Sequence, residues 1–222
     1  MKKQERVIKE FRNAFKKKIE CWANEYPSMF FVYNEALETI DFTKKIECVI
    51  VGDNPGYEEV GRETYLVGQA GKLGKHFFEE VLNESDFYKS AVFLNKTPIA
   101  TPKTKGLEEC PLFIVQETQR WMAKKIAKLC KDLKCDVYII GASNLETIFE
   151  TFMRSLKKER REICFSNKGV RSGVRIFSIL VFNHFSRNSL KVDFSERYPN
   201  GTLSDFRKMG LEDSRKFYSN FY

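Results

Sequence analysis

The sequence predicts an α/β protein, a three-layer α/β/α sandwich built on a mostly parallel central sheet. Two observations carry this expectation. Short apolar runs rich in β-branched residues, at 46–51, 91–94, 136–140 and 175–182, alternate with longer stretches of helical periodicity. Three of those runs end in polar residues of the kind that build sites: Asp53 and Asn54, then Asn95, then His184. Strand–helix alternation favours a parallel sheet covered on both faces, and ligands of such sheets bind beyond the carboxyl ends of the strands.

The elements follow in order. Between 3 and 22, Val7, Ile8, Phe11, Phe15, Ile19 and Trp22 recur at helical spacing among lysines and glutamates, which predicts an amphipathic helix. Tyr26-Pro27-Ser28 breaks it, and a second helix is expected to begin within 30–37 and to end before Asp41. The two form a helical extension at about 1–40 of a single domain spanning 1–222. The strand at 46–51 runs into the turn Gly52-Asp53-Asn54-Pro55-Gly56; 68–74 reads as loop and helix start, and the helix continues through Phe77, Phe78, Val81 and Leu82. The strand at 91–94 ends at Asn95, before a proline-punctuated basic loop at 97–106 and a long helix at 111–133. The strand at 136–140 turns at Gly141-Ala142-Ser143 into a helix through Phe152, and the charge run at 157–161 reads as a solvated helix end. The strand at 175–182 delivers His184 and the polar residues Ser186, Arg187 and Asn188. Beyond Thr202 the chain reads as a helix with Leu203, Phe206 and Leu211 on its apolar side.

A chain of 222 residues, 42% hydrophobic and 31% charged, can bury a full core and reads as a soluble monomer. No apolar run approaches the ~20 residues of a membrane span. The charged start, Met1 to Arg6, leads into no apolar signal core, so a cytoplasmic location is expected. Six scattered cysteines without a CxxC pair read as buried thiols of a reducing compartment, and two histidines, His76 and His184, are too few for a zinc site. The 38 Lys and Arg against 30 Asp and Glu leave a net charge of +8. That is the footprint of a polyanion partner such as nucleic acid, or simply a lysine-rich solvated surface.

The run Gly68-Gln69-Ala70-Gly71-Lys72-Leu73-Gly74-Lys75 invites comparison with a nucleotide-binding P-loop and fails it. Counting back from Gly74-Lys75 puts Gln69 where the first glycine must stand, and His76 follows in place of Ser or Thr. Glycines ahead of a helix can still expose N–H groups to a phosphate of a nucleotide or of DNA, or they can serve a tight helix–sheet contact. His184 could donate a hydrogen bond to an oxygen that gains negative charge, and Asn95 offers both a donor and an acceptor to a pyrimidine edge.

Together these residues resemble a known family. Gly52-Asp53-Asn54-Pro55-Gly56, Glu59 and the run Tyr65-Leu66-Val67-Gly68-Gln69-Ala70-Gly71-Lys72-Leu73 resemble the first motif of the uracil-DNA glycosylase superfamily. The two-part pattern is similar to that of its bacterial and archaeal iron–sulfur branches. Asn54-Pro55-Gly56 is similar to the mismatch-specific and single-strand-selective branches. His184-Phe185-Ser186 resembles the second motif, His-Pro-Ser, and Asn95 matches the pyrimidine-reading asparagine; the three matches fall in family order across 46–189.

The resemblance implies a DNA repair enzyme that flips uracil or a related deaminated base out of DNA and hydrolyses its N-glycosidic bond. Asp53, Asn54 and His184 would carry the chemistry, with either Asp53 or Asn54 placing the water. Gly52, Tyr65, Leu66 and Asn95 would hold the base. Gly68, Gln69, Lys72, Ser186, Arg187 and Asn188 would grip phosphates. Three departures accompany the match. The cluster cysteines are missing, with Thr97 near one of their positions, so no iron–sulfur cluster and no other cofactor or metal is expected. Leu66 stands where those branches have a base-stacking phenylalanine, a part open to Tyr65 or Tyr57, and Phe185 replaces the proline. Two alternatives remain: a nucleic-acid-binding relative without catalysis, and an unrelated nucleotide- or nucleobase-binding enzyme.

Overall fold

A computed structural model describes residues 2–166, 176–185 and 189–219. Four strands, β1 (Cys48–Gly52), β2 (Ala91–Asn95), β3 (Asp136–Ile140) and β4 (Ile179–Phe182), form one sheet in the order β2-β1-β3-β4 with every pairing parallel. The strands read as continuous apolar runs because both faces are covered. Side-chain alternation divides them between two cores. Val49, Val51, Leu94, Val137, Ile139 and Val181 point to one, and Cys48, Ile50, Tyr138, Ile140, Leu180 and Phe182 to the other.

The first core lies under α1 (Lys2–Glu25), α5 (Leu112–Leu133) and α6 (Glu150–Ser166). Ile8, Phe15 and Trp22 of α1 are fully buried in it, so the N-terminal helix is part of the main core rather than an appendage. The second core lies under α3 (Gln69–His76), the π-helical turn Phe77–Val81 that continues it, α7 (Ser189–Arg197) and α8 (Leu203–Ser219). Its centre is a ring cluster in which Phe206 stacks on Phe182 at 4.2 Å. The short helices α2 (Tyr57–Arg62) and α4 (Ser85–Lys89) complete the α-helices among the described residues. Among the described residues no helix is long and apolar enough to cross a membrane.

Several element expectations are corrected. The helix foreseen in 30–37 is only a 3₁₀ turn, Glu35–Glu38, because Phe31 bridges Ile99 and the Asn34 amide is tied to the sheet edge through Phe93 O at 2.7 Å. The helix foreseen after Gly141 is delayed to Glu150, and the 157–161 charge run sits inside α6 rather than at its end. The first strand begins at Cys48 rather than residue 46, and α3 already begins at Gln69. The last strand is confined to Ile179–Phe182, with residue 175 outside the described residues. On α8 the inward residues are Phe206 and Met209, while Leu211 is exposed, and α7 had no counterpart in the pattern.

Candidate active site

With this strand order the connections from β1 and β3 leave toward opposite faces, which opens a crevice at their carboxyl ends. Strands β1, β2 and β4 deliver residues there. Asp53, Asn54, Leu66, Gly68, Gln69, Asn95 and His184 line one cleft of ≈ 300 Å³, together with Thr101, Pro102, Lys103 and Thr104 of the loop after β2.

Gly52 pairs in register with Asn95. A β-carbon on Gly52 would stand 2.7 Å from Asn95 Oδ1, so only glycine lets that amide lie across the strand end. Asn95 is 1% exposed, and its Nδ2 has no hydrogen-bond partner among the described residues. A buried donor left unpaired costs about 1–3 kcal/mol, and a ligand acceptor in the cleft would recover it.

Asp53 is fixed from both sides. One carboxylate oxygen accepts from the Lys96 ammonium and the other from Asn144 Nδ2 at 2.9 Å. Lys96 is fully buried, donates also to Ile140 O at 2.6 Å and sits 4.9 Å from the centre of the Phe149 ring. Burial pushes its pKa below the usual lysine range, and Asp53 pulls the other way. Gly141, at φ +95°, lies directly against the Asp53 carboxylate. Both partners escaped the sequence reading. Lys96 does carry a signal, since a lysine continuing a buried strand needs an anion; Asn144 carries none.

Asn54 is held differently. Its Nδ2 donates to Thr101 Oγ1 at 2.8 Å and lies 3.2 and 3.4 Å from the carbonyls of Pro55 and Ile99. The Thr101 hydroxyl gives its own hydrogen to Lys103 O at 2.8 Å, so it can only accept from Asn54, and that settles which way the amide faces. Among the described residues nothing donates to Asn54 Oδ1, which leaves it as an acceptor.

His184 is half-buried at the cleft wall. Burial lowers its pKa below the ordinary histidine value, the Lys96 charge adds to the effect, and Asp53 opposes it. The ring is therefore neutral near pH 7 and can donate from one nitrogen. Phe185 is buried against Phe78, and a β-carbon on Gly74 would come within 3.0 Å of its ring. The phenylalanine in place of proline anchors the histidine segment to α3.

The second half of the first motif is clamped by Glu59. One of its oxygens takes Gly56 N–H at 2.6 Å and the other takes Leu66 N–H. Burial raises the Glu59 carboxyl pKa against the pull of the Gly56, Leu66 and Val67 N–H groups. Leu66 adopts the left-handed region at φ +54°, and this reversal decides what faces the cleft. Leu66 lines it, while Tyr65 is turned into the core, with its hydroxyl donating to Val32 O at 2.5 Å. Tyr65 is therefore not a wall of the cleft. Tyr57, 83% exposed at the mouth, is the aromatic residue that is.

Of the two roles open to the glycine run, tight packing holds for Gly71, where a β-carbon would run into the Leu66 carbonyl, and for Gly74. Gly68 is unobstructed and caps α3 with extended backbone. Lys72 is exposed and lies 3.9 Å from Glu58, and Ser186, Arg187 and Asn188 lie outside the described residues. Gly71→Ala is expected to displace the Leu66 carbonyl and destabilise the fold by about 1–3 kcal/mol, readable as a lowered denaturation midpoint at unchanged slope.

No family model matches the chain, and no curated protein matches it. The chemistry of the site rests on its own geometry: an unpaired amide at the floor, a neutral imidazole on the wall, a spare amide oxygen, and a carboxylate locked in an ion pair. Thr97, near an expected cysteine position, is buried and bonded to Thr118 at 2.8 Å. Among the described residues no group of three His, Cys, Asp or Glu is arranged to hold a metal ion.

Proposed function

We propose that this cleft takes an extruded base, uracil or a related deaminated base of DNA, and hydrolyses its N-glycosidic bond. The observation that carries the proposal is the buried Asn95 Nδ2, without a partner among the described residues and facing the same cleft as neutral His184 and the spare acceptor of Asn54. Breaking the bond between base and sugar develops positive charge on the sugar and negative charge on the departing base. Asn95 reads the base edge, offering Nδ2 to a carbonyl oxygen. His184 donates to a base oxygen as charge gathers there. A water held by Asn54 Oδ1 adds its hydroxyl to the anomeric carbon, and its proton ends on the released base. Asp53, whose oxygens are engaged by Lys96 and Asn144, contributes a fixed negative charge beside the sugar cation rather than a proton acceptor. Gly68 and Gln69 at the start of α3, with Lys72 nearby and the segment of Ser186, Arg187 and Asn188, are assigned to the flanking phosphates.

A second reading, binding of nucleic acid without turnover, draws on Leu66, which offers the base no aromatic face. One assay separates the two. Oligonucleotides carrying uracil, hypoxanthine, xanthine or mismatched bases are incubated with the protein and the resulting abasic sites are cleaved with alkali. Strand scission with at least one of them is expected. Retained, salt-sensitive binding with no scission in any of them would leave only the second reading.

A further inference from the structure

Three of the exposed aromatic side chains belong to segments that adjoin the loop after β2, a wall of the cleft. Among the described residues four aromatic rings are exposed, Phe30, Tyr57, Phe113 and Phe165, and the first three belong to one ledge. Its spine is the loop after β2. Ala100 N–H donates to Phe30 O at 2.9 Å, and Thr101 N–H donates to Pro55 O at 3.1 Å, two residues before Tyr57. Phe30 is 71% exposed although its neighbour Phe31 bridges Ile99. Past Phe30 the ledge continues through Tyr26 to Phe113, whose ring centres are 5.7 Å apart. Lys103 and Lys105 project from the same loop, exposed and in no ion pair among the described residues.

We infer that this ledge binds single-stranded nucleic acid, stacking the unpaired bases that neighbour the nucleotide in the cleft while Lys103 and Lys105 face its phosphates. The inference rests on reading the cleft as a nucleic-acid site. Bases within a duplex are stacked on one another and present only their edges, so exposed rings gain nothing from them. Unpaired bases each offer a π-face, and rings interleaved with cations form a surface that holds them with little regard to sequence. A ledge meant for another protein or a second copy would have no use for two unneutralised lysines on its spine.

The test measures binding of a labelled oligothymidylate and of a hairpin duplex across a salt series, with Phe30→Ser, Phe113→Ser and the Lys103→Ser/Lys105→Ser pair. Both phenylalanines are exposed, so the variants are expected to unfold at the wild-type temperature. Wild type is expected to prefer the single strand. Each phenylalanine variant should lose roughly tenfold in affinity for it, and the lysine pair should flatten the salt slope by about 1.4. Unchanged affinity in both phenylalanine variants would overturn the ledge, as would duplex binding that equals single-strand binding with the same losses. Self-association abolished by the same substitutions would overturn it too. Because oligothymidylate holds no deaminated base, the two readings fail separately. Binding without base release removes the glycosylase reading alone; base release with ring-insensitive binding removes the ledge alone.

Discussion

Asn54→Ala is expected to slow single-turnover base release by about 10²-fold with little change in substrate affinity, because a misplaced water costs rate rather than binding. His184→Ala should cost about 10²–10³-fold, the usual worth of one donor aimed at a developing oxyanion. The pH profile adds a sign. The His184 pKa is depressed by burial and by Lys96, so the neutral ring persists below about 6.5. A protonated ring would put a second positive charge near Lys96 and close to the sugar cation. The rate should therefore be flat through neutrality and fall on the acid side with an apparent pKa under that value, and the acid limb should vanish in His184→Ala. If Asn54→Ala keeps the full rate while Asp53→Asn loses it, the water belongs to Asp53 after all.

The second large effect concerns the fold. Lys96→Met leaves the Asp53 carboxylate buried with Asn144 as its one hydrogen-bond donor among the described residues. Removing one member of a buried pair costs about 3–5 kcal/mol, whereas replacing both by neutral groups of similar size is often close to neutral. Lys96→Met should thus lower the unfolding temperature by roughly 6–20 °C for a chain of this size, and Asp53→Asn/Lys96→Met should recover most of the loss. The cycle is read by thermal unfolding and needs no substrate. A single variant as stable as wild type would mean that the pair does not bridge the strand ends.

Much of the fold was legible because its signals are local. The run 136–140 coincides with β3, and helical periodicity located α1 and α5. Boundaries failed where tertiary contacts override propensity. Asn34 stops a helix by bonding to the sheet edge, and Asn144 takes part in the site instead of opening α6. Asp53, Asn54, Asn95 and His184 could be proposed as neighbours because parallel strands bring their carboxyl ends to one edge. The Lys96 and Asn144 contacts depend on which side chains turn inward after those ends, and no spacing rule encodes that. Tyr65 illustrates the same point. A single left-handed residue at Leu66 exchanges the inward and outward faces of the loop, and a leucine gives no notice of it.

The orphan donor of Asn95 also bears on how the cleft chooses. Among the described residues nothing accepts from this buried N–H group, and leaving it unanswered carries a cost. A guest bearing a carbonyl at that point relieves it, and one presenting a methyl or a hydrogen there leaves it in place with water now shut out. A cavity organised in this way discriminates by refusal, and the roughly 1–3 kcal/mol of one unanswered donor corresponds to about 5–150-fold in affinity. Analogues stripped of one oxygen should consequently fail as competitors even when their shape is right.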